Sequence, residues 1–153
     1  MAISRGAGTE IIRTIHFDYD AANTTDVQLI IGVQHHIYTV LSIVCYADQT
    51  TTNSNDGLTF KLQAFDSSVA TANTTIKLFE IPQTYGEKTF VWNDKFSFNG
   101  YDATGISGSM DSHADQDALA DQGGGNAQQL LMKKGHANDA WMVTCTYIDQ
   151  NNA

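Results

Sequence analysis

Charge is scarce in this sequence. Only 16% of its 153 residues are Asp, Glu, Lys or Arg, against about a quarter in an average globular chain. Basic residues are the scarcest, six Lys and two Arg spread along the chain, and the net charge is −9. No basic stripe exists to displace counterions from phosphates, so neither nucleic acid nor an anionic membrane surface is an expected partner. Long apolar runs are also missing. The longest, Ile37 to Ala47, falls well short of the ~18–20 residues that span a bilayer. The opening residues 1–8 lack the apolar centre of a signal peptide, so export is not expected. Asn23-Thr24-Thr25 and Asn73-Thr74-Thr75 match the glycosylation pattern, but without an export signal they are not expected to be used. Cysteine occurs twice, at Cys45 and Cys145, each inside a strand-like run. Two buried free thiols in a reducing cytosol is the favoured reading, ahead of a disulfide between adjacent strands.

What is present is β-forming and polar. Apolar residues make up 42%, and Asn, Gln, Ser and Thr fill the place of charge. The length suits one domain with one substantial core. The stretch His35–Ala47 organises the rest. It is rich in β-branched and aromatic residues and has no charge, glycine or proline, a composition that suits a central strand covered on both faces. Ile15, Phe17 and Tyr19 alternate with His16 and Asp18. Leu58, Phe60, Leu62 and Ala64 alternate with Thr59, Lys61 and Gln63. Trp141, Val143, Cys145 and Tyr147 alternate with Met142, Thr144 and Thr146. This is the period of half-buried strands. Further strands are expected at Val27–Val33, with Gly32 marking a bulge or bend; at Ile76–Ile81, closed by Pro82, the only proline; at Thr89–Trp92 continued by Phe96–Phe98; and at Gln128–Lys134. Asn93-Asp94 would form a turn or a bulge.

The count is about eight strands. The expected fold is all-β, an antiparallel β-sandwich of jelly-roll type, with residues 1–8 as an N-terminal arm and 9–153 as a single domain. Residues 100–126 stand apart, with five Gly beyond Gly100, five Asp, and no Lys or Arg between Lys95 and Lys133. One short helix could form within 111–121, with Asp111 or Ser112 as its cap. A loop this long is usually functional or held by a partner.

No reactive set emerges. Adjacent residues on a strand point to opposite faces, so His35 and His36 cannot chelate one metal unaided, and a structural role at the strand start is favoured. A pairing of one of them with His16 or an Asp stays open. Asp111, Asp115, Asp117 and Asp121 do not meet the EF-hand pattern, so a solvated acidic loop is favoured, with calcium or magnesium at a subunit contact as the alternative. Gly123-Gly124-Gly125 lacks the setting of a phosphate cradle, and no nucleophile elbow is present. Glu10, Glu80 and Glu87 could supply a carboxylate pair only if the fold gathered them. Phe90, Trp92, Phe96, Phe98 and Tyr101 read as core packing first, then as a sugar platform or a subunit contact. No catalytic residue, metal or cofactor is expected, and the chain does not read as an enzyme.

Residues 1–10 (MAISRGAGTE), Gly32–Ser42 (GVQHHIYTVLS), Phe90–Gly100 (FVWNDKFSFNG), Ala120-Asp121-Gln122-Gly123 and the closing Tyr147–Asn152 (YIDQNN) together resemble a family of small virion structural proteins of tailed phages, chiefly marine ones. The resemblance runs over nearly the whole chain. It implies a virion component, assembled in the host cytoplasm, and carries no catalytic residues. The reading that fits best is a capsid decoration or cement protein. It would act as a homo-oligomer, a trimer, bridging subunits of the major capsid protein. Residues 1–10 and 100–127 would make the contacts, with Ile3, Arg5, Tyr101, Ile106, Met110 and His113 as the candidates. The alternatives are a tail, neck or fibre component, and a carbohydrate-binding module built on Trp92 and Trp141.

Overall fold

The alternating runs at the two ends of the chain find each other. A computed structural model describes residues 9–20, 24–49, 57–66, 71–82, 86–101 and 127–151. In it the first strand, β1 (Glu10–Tyr19), pairs antiparallel with the last, β9 (Ala140–Asn151), in an unbroken register from Glu10↔Gln150 to Tyr19↔Trp141. Between them lie β2 (Val27–Ile31), β3 (His36–Gln49), β4 (Leu58–Asp66), β5 (Thr71–Ile81), β6 (Lys88–Trp92), β7 (Phe96–Asn99) and β8 (Gln129–Lys134). They form two antiparallel sheets. Sheet A has the order β1-β9-β3-β6, with β7 also on β3; sheet B has the order β2-β8-β4-β5. This is the jelly-roll arrangement of two four-stranded sheets, because β6 and β7 together occupy a single place.

That joint settles the role of Asn93 and Asp94. Trp92 faces Ile43 and Phe96 faces Val40 on the same edge of β3. Three residues, 93–95, therefore oppose two, Leu41 and Ser42, and the segment is a bulge rather than a turn. Leu41 is itself an extra residue against β9, since Val40 faces Tyr147 and Ser42 faces Thr146. The bulge switches which positions of β3 face inward. Tyr38 and Val40 point into the core before it, and Ile43, Cys45 and Ala47 after it.

The core lies between the sheets. Val40, Ile43, Leu58, Phe60, Leu130, Met132, Trp141, Val143 and Cys145 are fully enclosed. Each large apolar side chain there contributes ~1.5–3 kcal/mol by leaving water. Phe60, Phe79 and Trp92 form a continuous stack across the sandwich, with centroids 4.5 Å and 4.1 Å apart. Both cysteines are free thiols on the inner face of sheet A.

The central position of β3 is as expected: β9 flanks one side, and β6 and β7 the other. Its second cover is not. The inner face is enclosed, whereas Ile37, Thr39, Val44 and Tyr46 on the outer face stay half-buried. Two glycines close one end of the sandwich. A side chain on Gly32 would meet the Gly100 carbonyl oxygen at 1.9 Å, and one on Gly100 the Val33 carbonyl oxygen at 2.0 Å. Only glycine allows the two backbones to cross so closely. The short helix expected within 111–121 falls outside the described residues.

Candidate interaction surfaces

Alternation along the strands of sheet A delivers one set of side chains outward. The rows across that face are Asp18, Met142, Tyr46 and Thr89; His16, Thr144, Val44 and Val91; Thr14, Thr146 and Ser42; and Ile12, Ile148, Thr39 and Ser97. Short polar contacts tie the rows together: Thr14 Oγ1 to Thr146 Oγ1 at 3.2 Å, His16 Nδ1 to Thr144 Oγ1 at 2.9 Å, and Thr39 Oγ1 to Ser97 Oγ at 2.8 Å. No Lys or Arg occupies an outward strand position on this sheet among the described residues. Ile12 is 70% exposed and Val91 63%. The surface is broad and rich in β-branched residues, with its carboxylates, Glu10 and Asp18, on the edge strand β1, so covering its centre would desolvate few ions.

The outer face of sheet B is different. Lys61, Lys77 and Lys133 rim an open hollow of about 260 Å³ with Thr24, Thr59 and Glu80. Lys61 pairs with Asp26 at 3.0 Å, and Lys77 with Glu80. The sequence scatters its lysines, and the fold gathers half of them here.

Two ionic groups lie on inward positions that the alternating pattern reserves for apolar side chains. Asp149 continues the inner row of Trp141, Val143, Cys145 and Tyr147 on β9. It is nearly buried and accepts from His36 Nδ1 at 2.6 Å and Arg13 Nε at 2.9 Å, linking β1, β9 and β3. Beside it, burial and the Asp149 charge push the Tyr38 hydroxyl up to about 12. Lys134 continues the inner row of Leu130 and Met132 on β8. Its ammonium donates to the Asp139 carbonyl at 2.7 Å and the Ala137 carbonyl at 3.2 Å, and lies 4.7 Å from the Tyr19 ring centroid. Burial lowers its pKa, while Asp139 and Asp20 work to raise it. Burial also pushes each thiol up from 9.0 to about 12. These thiols are not poised nucleophiles.

His35 and His36 part company: His35 takes a left-handed turn conformation, φ 68°, and His36 opens β3 and bonds Asp149. That pairing with an Asp was open from sequence; His16 bonds Thr144 instead. Tyr101 forms a bridge with Ala127, so the described residues on either side of 102–126 meet at one point. Gly100 N donates to the His36 carbonyl, and Asn151 N to the Thr9 carbonyl, while His36 pairs with Asn151. The starting points of both expected contact segments therefore share one end of the molecule. Ile3, Arg5, Ile106, Met110 and His113, like Asp111, Asp115, Asp117 and Asp121, lie outside the described residues. Among the described residues no three of His, Cys, Asp and Glu are placed to share a metal ion. Trp141 is fully buried, and Trp92 lies flat against Phe79, so the two tryptophans do not form an exposed sugar platform.

On the opposite flank from β1 and β2, the edges β5 and β6 leave a seam. An apolar cleft of about 200 Å³ opens there, lined by Cys45, Phe79, Ile81, Pro82, Phe90 and Trp92, with Glu80 and Val91 at its margin. Phe90 and Trp92 stand out in the sequence, but their meeting with Phe79 does not. That meeting depends on how the two sheets are stacked.

No known protein family and no curated protein matches the chain. Among solved structures, the chain is similar to a subunit of Bacillus endospore appendages, described as disulfide-linked pili, with 12% identity over 99% of this chain and 96% of that one and a TM-score of 0.43. It is also similar to a protein of infectious bursal disease virus, Gx strain, with 10% identity over 94% of this chain and 32% of the other and a TM-score of 0.42. A third is the BFDV capsid protein, crystallised as a decamer, with 11% identity over 93% and 96% of the two chains and a TM-score of 0.30. These likenesses are remote in sequence and partial in shape.

Proposed function

We propose that this chain is a structural subunit of a tailed-phage particle, and specifically a capsid decoration protein that bridges subunits of the major capsid protein. One observation carries the reading. β3 has the composition of a strand covered on both faces, yet the described fold encloses only one of them. Among the described residues, the outer face of sheet A is rich in β-branched side chains and has no lysine or arginine at its strand positions, as suits a surface meant for another protein. The shared origin of residues 1–8 and 102–126 at one end of the sandwich supports it, because both segments can then grip one neighbour. So does the sequence resemblance to phage virion proteins. A fold of this kind serves many functions, and the jelly roll adds nothing by itself.

In this reading residues 9–153 form one β-sandwich domain preceded by an arm, and the assembled unit is a trimer clamped over the shell. Many modest contacts repeated around a particle add up, so each copy needs little affinity of its own. Quantitative mass spectrometry of purified particles tests the assignment. A copy number on the order of hundreds per virion supports the shell. A few copies to a few dozen would move the protein to the tail or neck, and its absence from particles would overturn the reading.

A further inference from the structure

The seam between β5 and β6 has the parts of a strand-accepting groove. Both flanking strands are sheet edges with no further strand beside them among the described residues, so each offers a row of backbone donors and acceptors. The cleft between them is apolar and aromatic. An extended segment lying there would extend one sheet and drop alternate side chains into the cleft. Its side chains toward the cleft must be apolar, and its far side small or polar.

Residues 1–8 have that pattern except at Arg5. Met1, Ile3, Arg5 and Ala7 share one face of an extended chain, and Ala2, Ser4, Gly6 and Gly8 share the other. The single charge also fits. With Ile3 over Phe79, Phe90 and Trp92, Arg5 would fall toward the cleft margin, where Glu80 stands. Glu80 already holds Lys77, so Arg5 would join an existing ion pair.

Reach decides whose arm it is. Thr9 stands at the end of β1 level with His36, while Trp92 stands across from Ile43 on the far side of β3. Three strand spacings across and six residues along put the cleft ~24 Å or more away. Ile3 is six residues before Thr9 and can extend at most ~22 Å, with nothing left over to lie in the groove. We infer that residues 1–8 of one copy of this chain occupy the β5–β6 seam of the next, with Ile3 seated on the aromatic cleft. The contact is head-to-tail, so it closes into a ring or continues as a row. This inference rests on the reading of the chain as a repeated assembly unit, but not on its phage origin.

The test uses full-length chains carrying one added cysteine each, Ile3→Cys and Val91→Cys, mixed and mildly oxidised. Val33→Cys, on an exposed site away from the seam, replaces Val91→Cys in the control mixture. Light scattering on the wild-type chain at tens of micromolar runs alongside. Assembly of the wild type, with an Ile3–Val91 cross-link between copies several-fold stronger than Ile3–Val33, supports the inference. Ile3→Asp should weaken assembly about tenfold or more. Assembly without preferential cross-linking, or unchanged by Ile3→Asp, overturns the groove assignment and leaves the assembly reading standing. A chain that stays monomeric throughout overturns both.

Discussion

The two sheets of this sandwich handle charge in opposite ways. Sheet A buries groups that release protons, Cys45, Cys145, Tyr38 and Asp149, and among the described residues puts no lysine or arginine on its outward strand positions. Sheet B buries a cation, Lys134, and carries Lys61, Lys77 and Lys133 outside. The difference sorts the surface of a chain of net charge −9 into a face that can be covered at little electrostatic cost and a face that must stay wet or meet acid. Neither property follows from composition, because it depends on which residues share a face.

Alkali should separate the sheets most strongly. Each thiol has a folded pKa of about 12 against an ordinary 9.0. Between those values the unfolded chain loses a proton that the folded chain keeps, so stability falls as pH rises, by up to about 1.4 kcal/mol per pH unit for each thiol. Lys134 acts in the other direction. Its folded pKa is lowered, so the penalty of burying it charged fades as pH climbs from that folded value toward the ordinary lysine range. A net fall in melting temperature above pH 9 is expected, and Cys45→Ala with Cys145→Ala should remove the thiols' share of it, leaving the later fall that comes from the raised Tyr38 hydroxyl. A profile that these substitutions leave unchanged would show that sheet A does not bury its thiols as described.

Next in size is the latch at Asp149. Asp149→Ala should cost about 3 kcal/mol by denaturant titration, since two charge-assisted hydrogen bonds are lost, from His36 at a nearly buried site and from half-exposed Arg13. Lys134→Met should cost about 2 kcal/mol, because two carbonyls lose a donor while the methionine keeps the volume. A larger loss from Lys134 than from Asp149 would reverse the ranking. The smallest effects sharpen the contrast between outer faces. Thr146→Lys should change stability by no more than about 0.5 kcal/mol yet weaken assembly about tenfold. Lys133→Thr on sheet B should leave assembly unchanged.

Much of this fold is legible in the sequence, and the reasons it stops being so are specific. Strands with period-two alternation, such as β1, β4 and β9, declare both their existence and their inward face. β3 declares its existence but not its facing, because the bulge at Leu41 sits inside an apolar run where either phase looks right. Asn93 and Asp94 are compatible with a turn or a bulge until the partner strand is known. Lys134 and Asp149 were visible in principle, as the next members of inward rows, but a charged residue at a strand end reads first as solvated. The cleft of Phe79, Phe90 and Trp92, and the gathering of lysines on sheet B, arise from pairings far apart in the chain that no local pattern records.

The most direct test of the account is a cryo-EM map of the assembled particle, inspected at the outer face of sheet A. The account predicts that Val44, Tyr46, Thr144 and Thr146 lie against another polypeptide while Lys61 and Lys133 face solvent. Solvent over all four of the former, with sheet B forming the contact instead, would contradict it.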